Sequence, residues 1–285
     1  MLRAMTQDRR EFLSTLGLAA IAGSSPRTLA NLLVPRHAKL QRIGMELYTV
    51  RSLTAKDLAG TLAQLAKIGY KEVEFAGYQN HSAAEVRAML DQNDLTAPSA
   101  HIDLAKIEGD ANATFGDAKV VGHKWITVAS LPRGRRESVD DWKQLAGRFN
   151  AAGKKVKDAG FSFAFHNHND VFRKAGDDLP IDILMHETDP ALVSYQMDVY
   201  WVVNGGGNPV ELLGKYPGRF KMLHLKDSMG APDHKMADVG SGTIDFKSIL
   251  SHAKGIENYF VERDDPTDPM ASAVASFNYL SHLEY

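Results

Sequence analysis

The chain has 285 residues, with 33 Lys and Arg against 35 Asp and Glu, a formal charge of −2 and 44% hydrophobic residues. It is long enough to bury a full core in one domain and too apolar for a disordered chain, and it lacks the basic excess on which nucleic-acid binding depends, so duplex DNA is excluded as an expected ligand. Cysteine is absent, which excludes disulfides, thiolate metal sites and a Cys nucleophile and leaves any metal to His, Asp and Glu.

Residues 1–30 carry Arg9-Arg10-Glu11-Phe12-Leu13 and then a weakly apolar run, Ser14 to Gly23, rich in Ala, Gly and Leu. The run is too short to span a bilayer, and the paired arginines before it resemble a twin-arginine export signal. The resemblance implies passage through the twin-arginine translocase to a periplasmic or otherwise exported location, with cleavage between Gly23 and Pro35 and residues 31–40 as a linker. An amphipathic N-terminal helix is the other reading of the segment.

Beyond it, short β-rich apolar runs alternate with amphipathic stretches. The pattern predicts a strand over Ile43–Val50 and a helix over Ala55–Ile68, with Leu58, Leu62, Leu65 and Ile68 on one face at spacings of three and four. A second strand is expected over Tyr70–Ala76, a helix over Ala83–Gln92, a third strand over Ala97–Asp103 and a fourth over Trp125–Leu131. A long helix over Val139–Ala159 stops at Gly160, a residue suited to the left-handed turn that ends helices, and a fifth strand follows over Phe161–Phe165. Three more strands are expected over Val193–Met197, Phe220–Leu225 and Tyr259–Glu262, with helices near 209–215, 245–254 and 269–282. Eight such units in about 245 residues, without an internal linker or repeat, predict a single-domain α/β fold, a (β/α)8 TIM barrel over residues 41–285.

Barrel enzymes place their chemistry at the C-terminal ends of the strands. The polar residues that interrupt the apolar pattern fall there: Glu74 after the second strand, His101 and Asp103 after the third, and His166-Asn167-His168 after the fifth. Asp198 follows the sixth strand, His224-Leu225-Lys226-Asp227 the seventh and Glu262-Arg263-Asp264 the eighth. Any one of these alone reads as an ordinary hydrogen-bonded loop residue; six strand ends out of eight do not. His166, Asp198, His224 and Glu262 would meet on one side of the barrel mouth, a mixed N/O donor set for one divalent metal ion such as Mn2+, Zn2+, Co2+ or Fe2+.

Four segments carry a family resemblance: Asp198-Val199-Tyr200-Trp201, His224-Leu225-Lys226-Asp227, Gly240-Ser241-Gly242-Thr243-Ile244-Asp245-Phe246 and Tyr259-Phe260-Val261-Glu262. Over residues 40–285 the chain resembles the xylose-isomerase-like TIM-barrel superfamily of sugar isomerases and epimerases. That resemblance implies a divalent metal held by Glu, Asp, His and Glu at the ends of strands five to eight, and Asp198, His224 and Glu262 match three of the four. At the fourth position, counted from Gly160, His166 stands where the family has glutamate. Epimerases of this type use two metal-bound glutamates as acid/bases on opposite faces of the substrate, and only Glu262 of that pair is present. The DNA-repair endonuclease branch of the superfamily needs a larger ligand set and a basic face, which this sequence lacks.

A divalent ion on a sugar carbonyl and its neighbouring hydroxyl stabilises the enediolate left when the α-proton departs. Aldose–ketose isomerisation, epimerisation beside a ketone and β-elimination from a 3-keto glycoside share that step. The first expectation is therefore a metal-dependent sugar isomerase or epimerase acting on a non-phosphorylated sugar, since free sugar phosphates are scarce outside the cytoplasm. The alternatives are a lyase or hydratase that cleaves 3-keto glycosides, and a sugar-binding protein without turnover. Glu262 is expected as ligand and base, and His168 as acid/base or substrate ligand. His101, Glu74 and Lys226 are further candidates for substrate contact, and Trp201 and Tyr200 offer aromatic faces to a sugar ring. Tyr200 reads equally as core, and Lys226 also as the partner of a surface ion pair with Asp227. Arg133-Gly134-Arg135-Arg136 reads as a solvated loop or an anion grip, and Gly205-Gly206-Gly207 as a flexible loop rather than a phosphate cradle.

Overall fold

A computed structural model describes residues 38–131 and 136–285; the expected export segment, the linker up to residue 37 and Arg133–Arg135 lie outside the described residues. The chain divides into Met1–Ala38 and Lys39–Tyr285, and the second unit carries all that follows.

Eight parallel strands close into a barrel: β1 Gly44–Glu46, β2 Glu72–Phe75, β3 Thr96–His101, β4 Trp125–Val128, β5 Ser162–His166, β6 Val193–Asp198, β7 Phe220–Leu225 and β10 Asn258–Val261. β10 returns to pair with β1, and a small antiparallel ribbon, β8 Asp227–Ser228 with β9 Met236–Ala237, lies after β7. The helices are α1 Arg51–Thr54, α2 Leu58–Ile68, α3 Ala83–Gln92, α4 Leu104–Glu108, α5 Asn112–Val121, α6 Val139–Asp158, α7 Pro180–Glu187, α8 Val199–Asn204, α9 Pro209–Lys215, α10 Phe246–His252 and α11 Pro269–His282. Their starts are written locally. Asp57 accepts the Gly60 N–H at 2.8 Å to open α2, Ser82 and Ser138 open α3 and α6 with reciprocal capping boxes, and proline occupies the first turn of α7, α9 and α11.

The first strand, expected over Ile43–Val50, stops at Glu46. The Thr49 and Val50 amides turn back onto the Glu46 and Leu47 carbonyls, and the chain enters α1. The next helix, expected from Ala55, waits for the Asp57 cap. Helices α1, α4, α5, α7 and α8 and the ribbon were not expected. In α5 only Ala118 and Val121 are buried, too few to leave an amphipathic signature, and α8 forms because Asp198 caps it.

Period-two alternation along the strands separates two cores. Val73, Phe75, Ile126, Val128, Phe163, Phe165, Leu223, Leu225 and Val261 point outward and bury against the helices. Trp125, Ala164, Met222 and Phe260 form a separate cluster inside the barrel. Phe260 lies over Gly44, where a Cβ would come within 2.4 Å of its ring, so this strand must carry glycine. Two residues further along the same strands, on the same inward side, stand Glu46, His166, His224 and Glu262. The apolar plug ends there and a buried polar layer begins.

Candidate active site

His166, Asp198, His224 and Glu262 each bring one donor atom within 4.8 Å of the others, all buried. His166 Nε2 is 3.8 Å from Asp198 Oδ2, and His224 Nδ1 is 2.8 Å from Glu262 Oε2. Asp198 Oδ1 accepts the Trp201 N–H at 3.0 Å, while its buried Oδ2 has no hydrogen bond. Two imidazoles and two carboxylates, one with an unsatisfied oxygen, fit a single divalent ion of the Mn2+, Fe2+, Co2+ or Zn2+ kind and neutralise its charge. His101, His166 and His224 form a second close group, but three neutral nitrogens leave a buried dication uncompensated, so the quartet is the better site.

Both histidines of the quartet are held from behind. His166 Nδ1–H donates to Gln196 Oε1 at 3.0 Å, His224 Nε2–H to Glu74 Oε2 at 2.5 Å, and the Gln196 amide donates to Glu74 Oε1 at 2.8 Å. These bonds fix the tautomers that leave His166 Nε2 and His224 Nδ1 facing the donor cluster. Burial, reinforced by His224 and His168, pushes His166 far below the ordinary imidazole range, so it is neutral. Burial opposes charge on His224 too, but Glu74 and Glu262 outweigh it and hold its proton well above the usual range. An ion binding there has to displace that proton.

Above the cluster opens a cavity of about 560 Å3, lined on its floor by Glu46, His101, His166, His168, Glu262 and Asp264. Burial, with Lys226 next, lowers His168 to about 4, so it faces the cavity as a neutral imidazole. Burial would lower His101, but Glu74 and Glu46 raise it to about 9. Lys226 is buried with Nζ 2.6 Å from Asp264 Oδ1, 3.1 Å from Glu262 Oε2 and 3.3 Å from Asp198 Oδ2. Burial disfavours the Glu262 carboxylate, yet Lys226 and His224 outweigh burial and hold it ionised far below the usual range.

A family model described as the xylose isomerase-like TIM barrel matches residues 62–278. The chain belongs to that family. An inosose dehydratase from Clostridium beijerinckii is 32% identical to it over 127 residues, 39% of this chain and 42% of that protein. The chain spans about half the length of the inosose dehydratases it matches. Among solved structures, a sugar phosphate isomerase/epimerase from Parabacteroides distasonis superposes with a TM-score of 0.75 at 26% identity, covering 87% of this chain and 96% of that one. The zinc-bound IolI protein shares the fold, with a TM-score of 0.67 at 15% identity over 84% of this chain and 96% of its own.

In this xylose isomerase-like barrel the expected residues separate into two sets. His166, Asp198, His224 and Glu262 come together, and His101 and His168 line the cavity with Glu262. Glu74, Tyr200, Trp201 and Lys226, expected at the substrate, do not line it. Glu74 has no exposed surface and lies beneath His224 and His101 as their carboxylate partner. Tyr200 donates its hydroxyl to the His234 carbonyl at 2.6 Å. Trp201 packs its ring 5.5 Å from that of His168 and, at the same distance, covers the Lys226 ammonium. The Lys226–Asp227 pair does not form. Asp227 instead accepts the backbone N–H groups of Ser228, Gly240, Gly242 and Ile244 at 2.7–3.2 Å. A Cβ on Gly242 would fall 2.3 Å from Asp227 Oδ1, which explains the glycine in that segment. Gly205 and Gly207 likewise lie close against Phe172 and Val202, a packing role rather than a loose loop. Sequence reasoning missed Gln196, Glu46 and the cavity-lining role of Asp264. For Gln196 the only signal was a polar residue inside an apolar run, two before Asp198.

Proposed function

We propose that the protein is a metal-dependent lyase of the dehydratase type. It removes the proton beside the ketone of an uncharged keto-sugar or keto-glycoside and expels the oxygen substituent on the next carbon. One observation carries the choice among the reactions open to such a site. The position of the second glutamate of two-base epimerases holds His166, whose Nδ1–H is committed to Gln196 and whose ring is neutral, which leaves Glu262 as the one glutamate of the quartet. The inosose dehydratase names of the partial relatives support the same class.

A divalent ion held by the quartet would polarise the substrate carbonyl and stabilise negative charge on its oxygen. Glu262 takes the α-proton; Lys226, 3.1 Å from Oε2, keeps that carboxylate ionised and oriented. Neutral His168 is placed to accept or donate a hydrogen bond to a substrate hydroxyl, and Trp201 behind it excludes water from the Lys226 side. The described lining sets the carboxylates of Asp103, Asp117, Glu262 and Asp264 against Lys106 and His101, an environment that disfavours a phosphate and suits a neutral polyol.

Isomerisation or epimerisation is the second reading, favoured by the superposition on the sugar phosphate isomerase/epimerase. An NMR time course in D2O, with metal-loaded protein and a panel of ketoses, inososes and 3-keto glycosides, separates the two. Loss of the β-substituent is the expected result; a rearranged or inverted skeleton with nothing released would move the protein to the isomerases. Export belongs to the same proposal: Arg9→Lys with Arg10→Lys is expected to retain the protein in the cytoplasm, and undiminished export on fractionation would remove it.

A further inference from the structure

The cavity reaches well beyond the quartet. His166, His168, Glu262 and Asp264 line it from the β5, β6, β7 and β10 side, and the rest of its lining follows β1 to β4, which are contiguous in the barrel. That second half has two aromatic walls. Tyr48, beyond β1, is 43% exposed, and Arg51 steadies it: the guanidinium lies 4.0 Å over its ring and Nη1 donates to its carbonyl at 2.7 Å. Tyr78, beyond β2, is fixed from behind. Buried His123 gives its Nδ1–H to the Ala97 carbonyl at 2.6 Å, and burial holds its ring neutral, so Nε2 accepts the Tyr78 hydroxyl at 2.8 Å. Phe75 packs edge-on against the same tyrosine at 5.4 Å. The loop that presents it is left-handed at Gly77 (φ 105°), Gln79 (53°) and Asn80 (66°), a conformation that non-glycine residues seldom take. Gly77 also lines the cavity, and a Cβ there would meet nothing within 4 Å, so open space stands over it.

Helices α4 and α5 add polar groups to this half: Lys106 from α4, Thr114 and Asp117 three residues apart on α5, and Asp103 just ahead of α4. Among the described residues, none of these four side chains has a hydrogen bond or ion pair, unlike Glu74, Gln196 and His224 beneath the quartet. A carboxylate only accepts hydrogen bonds and an ammonium only donates them, whereas a sugar hydroxyl does both. A ring with several hydroxyls therefore serves Asp103, Asp117 and Lys106 together while its C–H face packs on tyrosine. A flat apolar group would desolvate those charges without pairing them.

We propose that the β1–β4 half of the cavity is a subsite for a second sugar ring, so that the substrate is a keto-disaccharide rather than a single-ring keto-sugar. Tyr48 and Tyr78 are the stacking walls, Asp103 and Asp117 accept its hydroxyls, and Lys106 donates to them. The proposal rests on the lyase reading for what happens to that ring. The first ring reacts over the quartet: its α-proton passes to Glu262, the electron pair forms the carbon–carbon double bond, and the carbon–oxygen bond to the second ring breaks. The departing oxygen takes a proton from solvent and leaves as a free sugar, with an unsaturated keto-sugar as the other product.

Binding separates the two claims, because a glycoside without the ketone cannot be eliminated and still fills the subsite. Calorimetry on the metal-loaded full chain compares a panel of hexose disaccharides with the corresponding methyl and phenyl hexosides. A disaccharide is expected to bind about 100-fold tighter than its methyl hexoside, and Tyr78→Ala and Asp117→Asn should each lower that ratio about 10-fold. Equal affinity for disaccharide and methyl hexoside across the panel overturns the subsite, as does a phenyl hexoside that binds as tightly as the disaccharide, or a ratio that both variants leave intact. Should Tyr78→Ala fail to fold, Asp117→Asn, at an exposed position on α5, decides. Turnover of the 3-keto forms then reads the reaction. Elimination with no preference for the disaccharide removes the subsite alone; a disaccharide preference in binding that the variants abolish, with no elimination from the 3-keto forms, removes the lyase reading and leaves the second-ring subsite standing.

Discussion

The two halves of the barrel mouth are built by the same rule and end in opposite states. β5, β6, β7 and β10 deliver His166, Asp198, His224 and Glu262, whose donor atoms gather within 4.8 Å. β1, β2 and β3 deliver Glu46, Glu74 and His101, of which Glu74 is saturated by hydrogen bonds to His224 and Gln196 while Glu46 has none. Position at a strand end therefore brings a polar group to the site without assigning its work. The partner behind it decides: an imidazole tethered at one nitrogen offers the other, a carboxylate beside ammonium stays charged, and a carboxyl among carboxylates holds its proton.

The largest effect tests the first half. Asp198→Ala or His224→Ala is expected to lose most of the bound metal by elemental analysis, and metal content equal to the parent would end the quartet assignment. Next comes the exchange of roles within it: His166→Glu places a second carboxylate beside the ion, and the ratio of α-proton exchange to elimination should rise about 10-fold or more. An unchanged ratio with metal retained would mean that His166 does not decide the outcome. A smaller loss should follow in the outer layer, where Gln196→Leu releases His166 Nδ1 and is expected to weaken metal affinity about 10–100-fold in a competitive titration; full affinity would show that the tether is dispensable.

The smallest effect links the halves through pH. His101, raised to about 9, and His224, also raised, contribute stability that is fully present below their ordinary 6.5 and lost as pH rises through their folded values. Glu46, raised from 4.5 to about 8, acts in the same direction, since its neutral form is the one the fold favours. Metal-stripped protein should therefore melt several degrees lower at pH 9 than at pH 6.5, and adding Mn2+ or Zn2+, which displaces the His224 proton, should narrow the gap. A melting temperature that holds or rises over that interval would contradict the charge assignments in both halves.

Asp198, His224 and Glu262 were legible because each closes an apolar run of β-forming residues, where a buried charge has no structural excuse. Glu46 was not. It lay inside an expected strand over Ile43–Val50, and only the turn of the Thr49 and Val50 amides onto Glu46 and Leu47 makes it a strand end. The alternative reading of Lys226 failed for a related reason: adjacency to Asp227 suggests an ion pair, but alternation along the chain sends Lys226 into the barrel and Asp227 to the amides of Gly240, Gly242 and Ile244.

What the sequence by itself determined is the barrel, its strand order and all four donor positions, because period-two and period-3.6 burial patterns, caps and glycines are local and survive without knowledge of the neighbours. The tertiary structure alone decided the state of each group. Whether a carboxyl is a ligand, a tether or a neutral group depends on which charges stand within a few ångströms across the barrel. Those neighbours, such as Glu74 and His224 at 150 residues' separation, are brought together only when β10 closes against β1.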